Sequence, residues 1–149
     1  MKCLIVGVGS TIRTDDGVGV HAVRRLQGHI QSEDVDTIEL GTGGLSLLDH
    51  LDGYDRVIII DAIMTGRQPG TICELTAEEA TCSVHLGVGH EADLKATLAV
   101  GLKVLRKQMP RDIIVLGVEV QDITTFSEDL TPAVNAALPR VLKRIKAIA

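Results

Sequence analysis

The 149-residue chain carries 20 acidic against 15 basic side chains, for a net charge of −5, and 45% of its residues are hydrophobic although it has one Phe, one Tyr and no Trp. A chain of this length builds one domain with a sizeable core, which here has to be aliphatic. The acidic balance, the lack of a basic run and the few aromatics argue against a nucleic-acid partner, and no apolar run approaches the roughly 20 residues of a membrane span.

Short apolar runs rich in β-branched residues predict strands at about 2–8, 35–40, 55–61, 70–75 and 112–119, a pattern expected of strands covered on both faces. The first run, Cys3-Leu4-Ile5-Val6, passes through Gly7-Val8-Gly9 to the adjacent carboxylates Asp15 and Asp16. Val18, Val20, Val23 and Leu26 then form the stripe of a first helix. Gly41-Thr42-Gly43-Gly44 is a second glycine loop, read as a tight turn or as a place where extended peptide backbone could lie, and a short helix is predicted at 45–51. Val57-Ile58-Ile59-Ile60 ends in Asp61. The segment at 70–75 follows Gln68-Pro69-Gly70 without an intervening helix, so it is expected to be an antiparallel or edge strand. Leu94, Leu98, Leu102 and Leu105 mark a helix from about 91 to 107. The last helix is predicted from Pro132 to about Ala147, with Thr131 as its cap.

Strands alternating with helices define the expected fold: a single three-layer α/β domain over residues 1–149, with a mostly parallel, twisted five-stranded sheet flanked by helices. Cys3, Cys73 and Cys82 form no C-x-x-C pair and read as small buried apolar residues in a reducing compartment. Met1-Lys2 leads straight into the first strand, so the expectation is a soluble cytoplasmic protein without a leader or membrane anchor.

In open α/β sheets ligands bind beyond the carboxyl ends of the strands. Three polar features fall at such places: Asp15-Asp16, Asp61, and His90-Glu91-Ala92-Asp93 after the turn Gly87-Val88-Gly89. Each has a plain alternative. Asp16 could cap the first helix, Asp61 could bind loop amides, and Glu91 and Asp93 suit the positive end of a helix dipole. A helix-start His is often simply exposed, and His85 is a second candidate in a segment that reads as loop. Taken together, two carboxylates and an imidazole make a mixed oxygen/nitrogen site with open positions, suited to Ni(II) or Zn(II).

A nucleotide-binding reading fares worse. Ile12 stands where a dinucleotide fingerprint has its third glycine, no Gly-Lys-Ser/Thr is present, and acids at the helix start oppose a pyrophosphate. The chain also lacks a Gly-x-Ser-x-Gly elbow, a His-Glu-x-x-His helix and an Asp-Thr/Ser-Gly turn.

Over essentially its whole length the chain resembles the NiFe-hydrogenase maturation endopeptidases. The resemblance rests on Gly7-Val8-Gly9-Ser10-Thr11-Ile12-Arg13-Thr14-Asp15-Asp16-Gly17-Val18-Gly19, on Ile58-Ile59-Ile60-Asp61-Ala62, on Pro69-Gly70-Thr71 and on Leu130-Thr131-Pro132-Ala133-Val134. Ser10 replaces the family's usual Asn, and Asp16 stands where some members have Glu. The resemblance implies a nickel-dependent endopeptidase, expected to be monomeric, that removes the C-terminal extension of a hydrogenase large-subunit precursor once nickel is inserted. It implies Asp16 and Asp61 as catalytic residues. Asp16, Asp61 and His90 are the implied metal ligands, with His85 the alternative histidine. The nickel would come from the precursor, and other divalent ions could substitute in vitro. Asp15 is a candidate base or supporting residue, or again a cap. A non-catalytic nickel-binding assembly chaperone and a small nucleotide-binding domain are the rival readings.

Overall fold

The computed structural model describes residues 1–41, 45–82 and 93–149. Strands β1 (Cys3–Val8), β2 (Val35–Leu40), β3 (Arg56–Ile63), β4 (Ile72–Thr76) and β5 (Asp112–Glu119) form one sheet in the order β2-β1-β3-β5-β4. The first four neighbours in that order run parallel, and β4 pairs antiparallel with β5 at the edge. The short turn through Gly70 explains the reversal, because without a crossover helix the chain returns in the opposite direction.

Among the described residues, four helices, α1 (Val18–Leu26), α2 (Ala77–Cys82), α3 (Asp93–Val104) and α4 (Pro132–Ile148), join 3-10 turns at Thr14–Gly17 and Leu45–His50. Side chains alternate across a strand, and each face of β3 is buried. Ile58, Ile60 and Ala62 pack with residues of α1 and α4, whereas Val57, Ile59 and Ile63 pack with the 45–50 turn, α2 and α3. Burial on both faces is why the central strands read as unbroken apolar runs. The predicted three-layer architecture is the one observed.

Several local expectations change. The six-residue helix α2 was not anticipated, although Thr76-Ala77-Glu78-Glu79 carries its signal. The Glu79 amide donates to Thr76 Oγ1 (3.1 Å) and the Thr76 amide to Glu79 Oε1 (3.3 Å), a reciprocal capping box. The C-terminal end of α3 is Val104 rather than Lys107, and the expected start at residue 91 lies outside the described residues. Thr131 occupies the cap position of α4 but makes no capping bond with its side chain. Of the cysteines, Cys3 is buried, Cys73 half-buried and Cys82 exposed, so the uniform burial expected of them is corrected. Among the described residues no helix is long and apolar enough to cross a membrane.

Candidate active site

The glycines after β1 serve backbone contact. Gly9 has φ +132°, and a Cβ there would lie 2.0 Å from the carbonyl oxygen of Asp16. On α1, a Cβ at Gly19 would lie 2.2 Å from the Ile60 carbonyl oxygen and 2.9 Å from that of Val8. Only chains without side chains can approach so closely. The spacing Gly7-x-Gly9 and Gly17-x-Gly19 therefore seats the 14–17 turn and the first turn of α1 on β1 and β3. Register places Gly7 beside Ile60, so this turn and Asp61 share one rim of the sheet.

Between the glycines, Thr14 adopts φ +52°, in the left-handed region that a β-branched residue rarely enters. Such a conformation costs about 1–3 kcal/mol and persists only where neighbours hold it. Here the Thr14 hydroxyl donates to the Thr125 carbonyl (2.6 Å) and its amide to the Ser127 carbonyl (3.0 Å). The Ser127 amide donates in turn to the Ile12 carbonyl (3.0 Å). The acid-bearing turn and the 121–131 segment are thus one hydrogen-bonded unit.

Asp16 is fully buried, and its Oδ2 accepts the Ser10 amide at 2.9 Å. Gly17 is the cap residue of α1, and Asp16, just before it, binds the preceding loop through Ser10. Asp61, also fully buried, accepts the Ala62 amide on Oδ1 at 2.8 Å. By strand alternation it lies on the sheet face of Val57, Ile59 and Ile63, the face covered by the 45–50 turn and α3.

Asp15 has a different task. Its Oδ2 accepts the amides of Gln121 (2.9 Å) and Asp122 (3.0 Å), its Oδ1 accepts the Thr131 amide (2.8 Å), and the Thr131 hydroxyl lies 3.0 and 2.8 Å from the two oxygens. The hydroxyl expected to cap α4 is thus turned to Asp15. With this many donors in a buried setting, the carboxylate is engaged in holding loops, which suits the supporting role among those expected of it.

The sequence reading missed Glu119. It is 1% exposed at the end of β5 and accepts the Thr65 amide on both oxygens (3.0 and 2.9 Å), the Thr65 hydroxyl and the Arg67 amide (3.3 Å). Its signal was present: Glu119 closes the apolar run Ile113–Val118 as Asp61 closes Val57–Ile60. Asp15, Asp16, Asp61 and Glu119 are the buried carboxylates among the described residues, and each lies at or beyond the carboxyl ends of the parallel strands. Burying a carboxylate is costly unless donors surround it, and backbone amides supply those donors here.

His85 and His90 both lie outside the described residues, so the third expected ligand is not among them. Among the described residues no three His, Cys, Asp or Glu side chains gather into a metal-holding group. The described His21 places Nε2 3.0 Å from the Glu128 carbonyl, away from this role.

The glycine loop also bears on nucleotide binding. The Gly9 amide donates to the Leu40 and Gly41 carbonyls (3.3 Å each), and the Ser10 amide to Asp16. These donors, which a phosphate cradle would need, are already used. Beside them lies a cleft of about 410 Å³ lined by Ser10, Ile12, Val20, Arg24, Glu39 and Gly41 among others. The Arg24 guanidinium pairs with Glu39 at 2.8 Å on its wall, which raises the Arg24 pKa above its ordinary value. Ser10 belongs both to this cleft and to the Asp16 hydrogen bond, so a chain lying in the cleft would pass next to the acid turn. Phe126, the single phenylalanine, stands 82% exposed on the 121–131 segment.

Residues 20–148 match the family model described as HycI, hydrogenase maturation protease. The chain is 31% identical over 151 residues to hydrogenase 2 maturation protease of Escherichia coli K12, an alignment spanning 99% of this chain and 90% of that protein. It is 29% identical over 150 residues to the hydrogenase expression/formation protein HupD of Thiocapsa roseopersicina, covering 92% of this chain and 66% of the relative. The solved hydrogenase maturating endopeptidase HybD from E. coli superposes with a TM-score of 0.84 at 27% identity, over 99% of this chain and 91% of that one. The [NiFe] hydrogenase maturation protease HybD from Thermococcus kodakarensis gives 0.79 at 25% identity, over 100% and 99% of the two chains.

Proposed function

The chain belongs to the hydrogenase maturation protease family and is a peptidase; from that premise we propose that it cleaves the C-terminal extension from a NiFe-hydrogenase large-subunit precursor after nickel insertion. The observation that carries this reading is the pair of fully buried carboxylates, Asp16 and Asp61, on one rim of the sheet. Asp16 is oriented by the Ser10 amide and Asp61 by the Ala62 amide. These bonds fix the position of each carboxylate at the rim where substrate would be met.

The donor chemistry fits a divalent ion brought by the precursor. Two carboxylates supply oxygen ligands, and a histidine from 83–92, His90 or His85, supplies nitrogen. Nickel held in the precursor would polarise a nearby carbonyl as a Lewis acid. The protein's residues bind and orient: Asp16 and Asp61 recognise the cation, and a carboxylate oxygen takes the proton of the attacking water. A precursor without nickel lacks the matching charge and is left uncut. The extended substrate segment approaches through the cleft along Ser10 and Ile12.

The test is mass spectrometry of a co-expressed large subunit, with nickel supplied or withheld, using wild type, Asp16→Asn, Asp61→Asn, His90→Ala and His85→Ala. Shortening by wild type, in nickel alone, and its loss in Asp16→Asn, Asp61→Asn and His90→Ala are expected, whereas loss in His85→Ala but not in His90→Ala would move the histidine to His85. Full processing by the Asp16 and Asp61 variants would reject the site. Processing of nickel-free precursor would reject the checkpoint, and a precursor bound but never shortened would indicate a nickel chaperone.

A further inference from the structure

We propose that Asp15 is a positioning residue for the reaction: its carboxylate latches the 121–131 segment and the start of α4 onto the acid turn, and so fixes where Asp16 stands. The kinetic consequence rests on the proposed protease reading, whereas the structural consequence does not.

The geometry is specific. Asp15 and Asp16 are consecutive, yet their carboxylates bind in opposite senses, one to residues 121, 122 and 131 and the other to Ser10. The left-handed Thr14 precedes them. A backbone in that conformation relaxes once its restraints go, and those restraints come from the segment Asp15 holds: Thr125 and Ser127 bind Thr14, and the Asp122 carbonyl accepts the Asp15 amide at 2.9 Å. Asp15 also lies at the start of the 17-residue helix α4, where the positive end of the helix dipole favours a carboxylate. Opening the latch frees Thr14 to leave the left-handed region, and the next two residues rotate with it. Asp16 then loses its register with Ser10.

Charge and shape can be separated. Asn at position 15 keeps one acceptor oxygen but turns an NH2 toward amide donors. Val at position 131 removes one hydroxyl donor and keeps the Thr131 amide. Neither residue needs to touch substrate for the effect to appear.

The experiment measures amide hydrogen exchange and precursor cleavage in wild type, Asp15→Asn, Thr131→Val and the core variant Ile145→Val. In Asp15→Asn the Ser10 amide is expected to exchange at least tenfold faster relative to the Ile59 amide in the sheet. Its kcat should fall at least tenfold with KM within twofold. Thr131→Val should move both quantities the same way by less, and it decides the matter if Asp15→Asn does not fold. Ile145→Val, destabilised on the buried face of α4 itself, should leave the exchange ratio and kcat as in wild type. An unchanged Ser10 ratio in folded Asp15→Asn would overturn the proposal, as would an equal kcat loss in Ile145→Val. If wild type cleaves no precursor, the proposed function fails, while the exchange ratio still decides the role of Asp15.

Discussion

Replacing Gly19 by Ala should destabilise the protein and silence its site, although the same change in an ordinary helix is favourable. Inside a helix, Ala is better than Gly by about 0.5–1 kcal/mol. Here the new Cβ would stand 2.2 Å from the Ile60 carbonyl oxygen and 2.9 Å from that of Val8. Carbon–oxygen contacts settle at about 3.3–3.6 Å, so α1 has to retreat by roughly 1 Å. Both atoms it meets are backbone in central strands, which cannot give way as a side-chain tip could. Val20, Val23 and Leu26 are at most 3% exposed on the same helix, so the retreat loosens their packing. Overpacking of this kind costs about 1–3 kcal/mol, which exceeds the propensity gain. Because Asp16 lies in the 14–17 turn that leads into α1, a displacement of that size also costs about 10²-fold in rate. Urea unfolding and precursor cleavage check both numbers, with Gly41→Ala as the stability control, since a Cβ there meets nothing within 4 Å among the described residues. A Gly19→Ala protein as stable and as active as wild type would refute the close-approach account.

Three further outcomes follow from other contacts in the fold. Tyr54 donates to Asp36 Oδ2 at 2.6 Å, and that hydrogen bond, with burial and the Asp36 charge, pushes its pKa up to about 12. Since it is the single Tyr and there is no Trp, absorbance titration reads it cleanly, and a midpoint near the ordinary value of about 10 would count against the bond. A raised folded pKa means this contribution is complete below about pH 10 and is lost as pH rises through about 12; Tyr54→Phe should abolish that alkaline dependence. Glu119→Gln should cost about 1.5–3 kcal/mol, the scale of hydrogen bonds to a charged group, and should expose the 64–67 turn to tryptic cleavage after Arg67; unchanged cleavage would remove Glu119 from its holding role. Arg144 holds the Glu74 carboxyl below its usual range, but the side chains are 47% and 37% exposed and water screens the pair, so Arg144→Ala should leave the urea-unfolding midpoint close to that of wild type.

The layered fold was legible because its signals are local. Continuous runs such as Val57–Ile60 require cover on both faces, and Pro69-Gly70 marks the reversal into β4. Asp61 was visible as a polar residue closing such a run, and Glu119 could have been read by the same rule. The helix α2 was legible too, in the capping-box spacing of Thr76 and Glu79. The division of labour between Asp15 and Asp16 was not, because the two are adjacent, chemically identical and equally placed before a helix. Asp15 binds amides 106 to 116 residues away, whereas Asp16 binds the Ser10 amide six residues away.

By itself the sequence determined the alternation of strand and helix, the aliphatic core, and the placing of carboxylates and glycines after β1, since these follow from residue type and near-neighbour spacing. Tertiary structure alone decided what those residues do. It showed that the glycines serve contact between α1 and the carbonyls of Val8 and Ile60, that Thr14 is held in a left-handed turn, and that Asp15 ties distant loops while Asp16 binds Ser10. The physical reason is that a buried carboxylate's role is set by the donors around it, and folding assembles those donors from segments far apart in the chain.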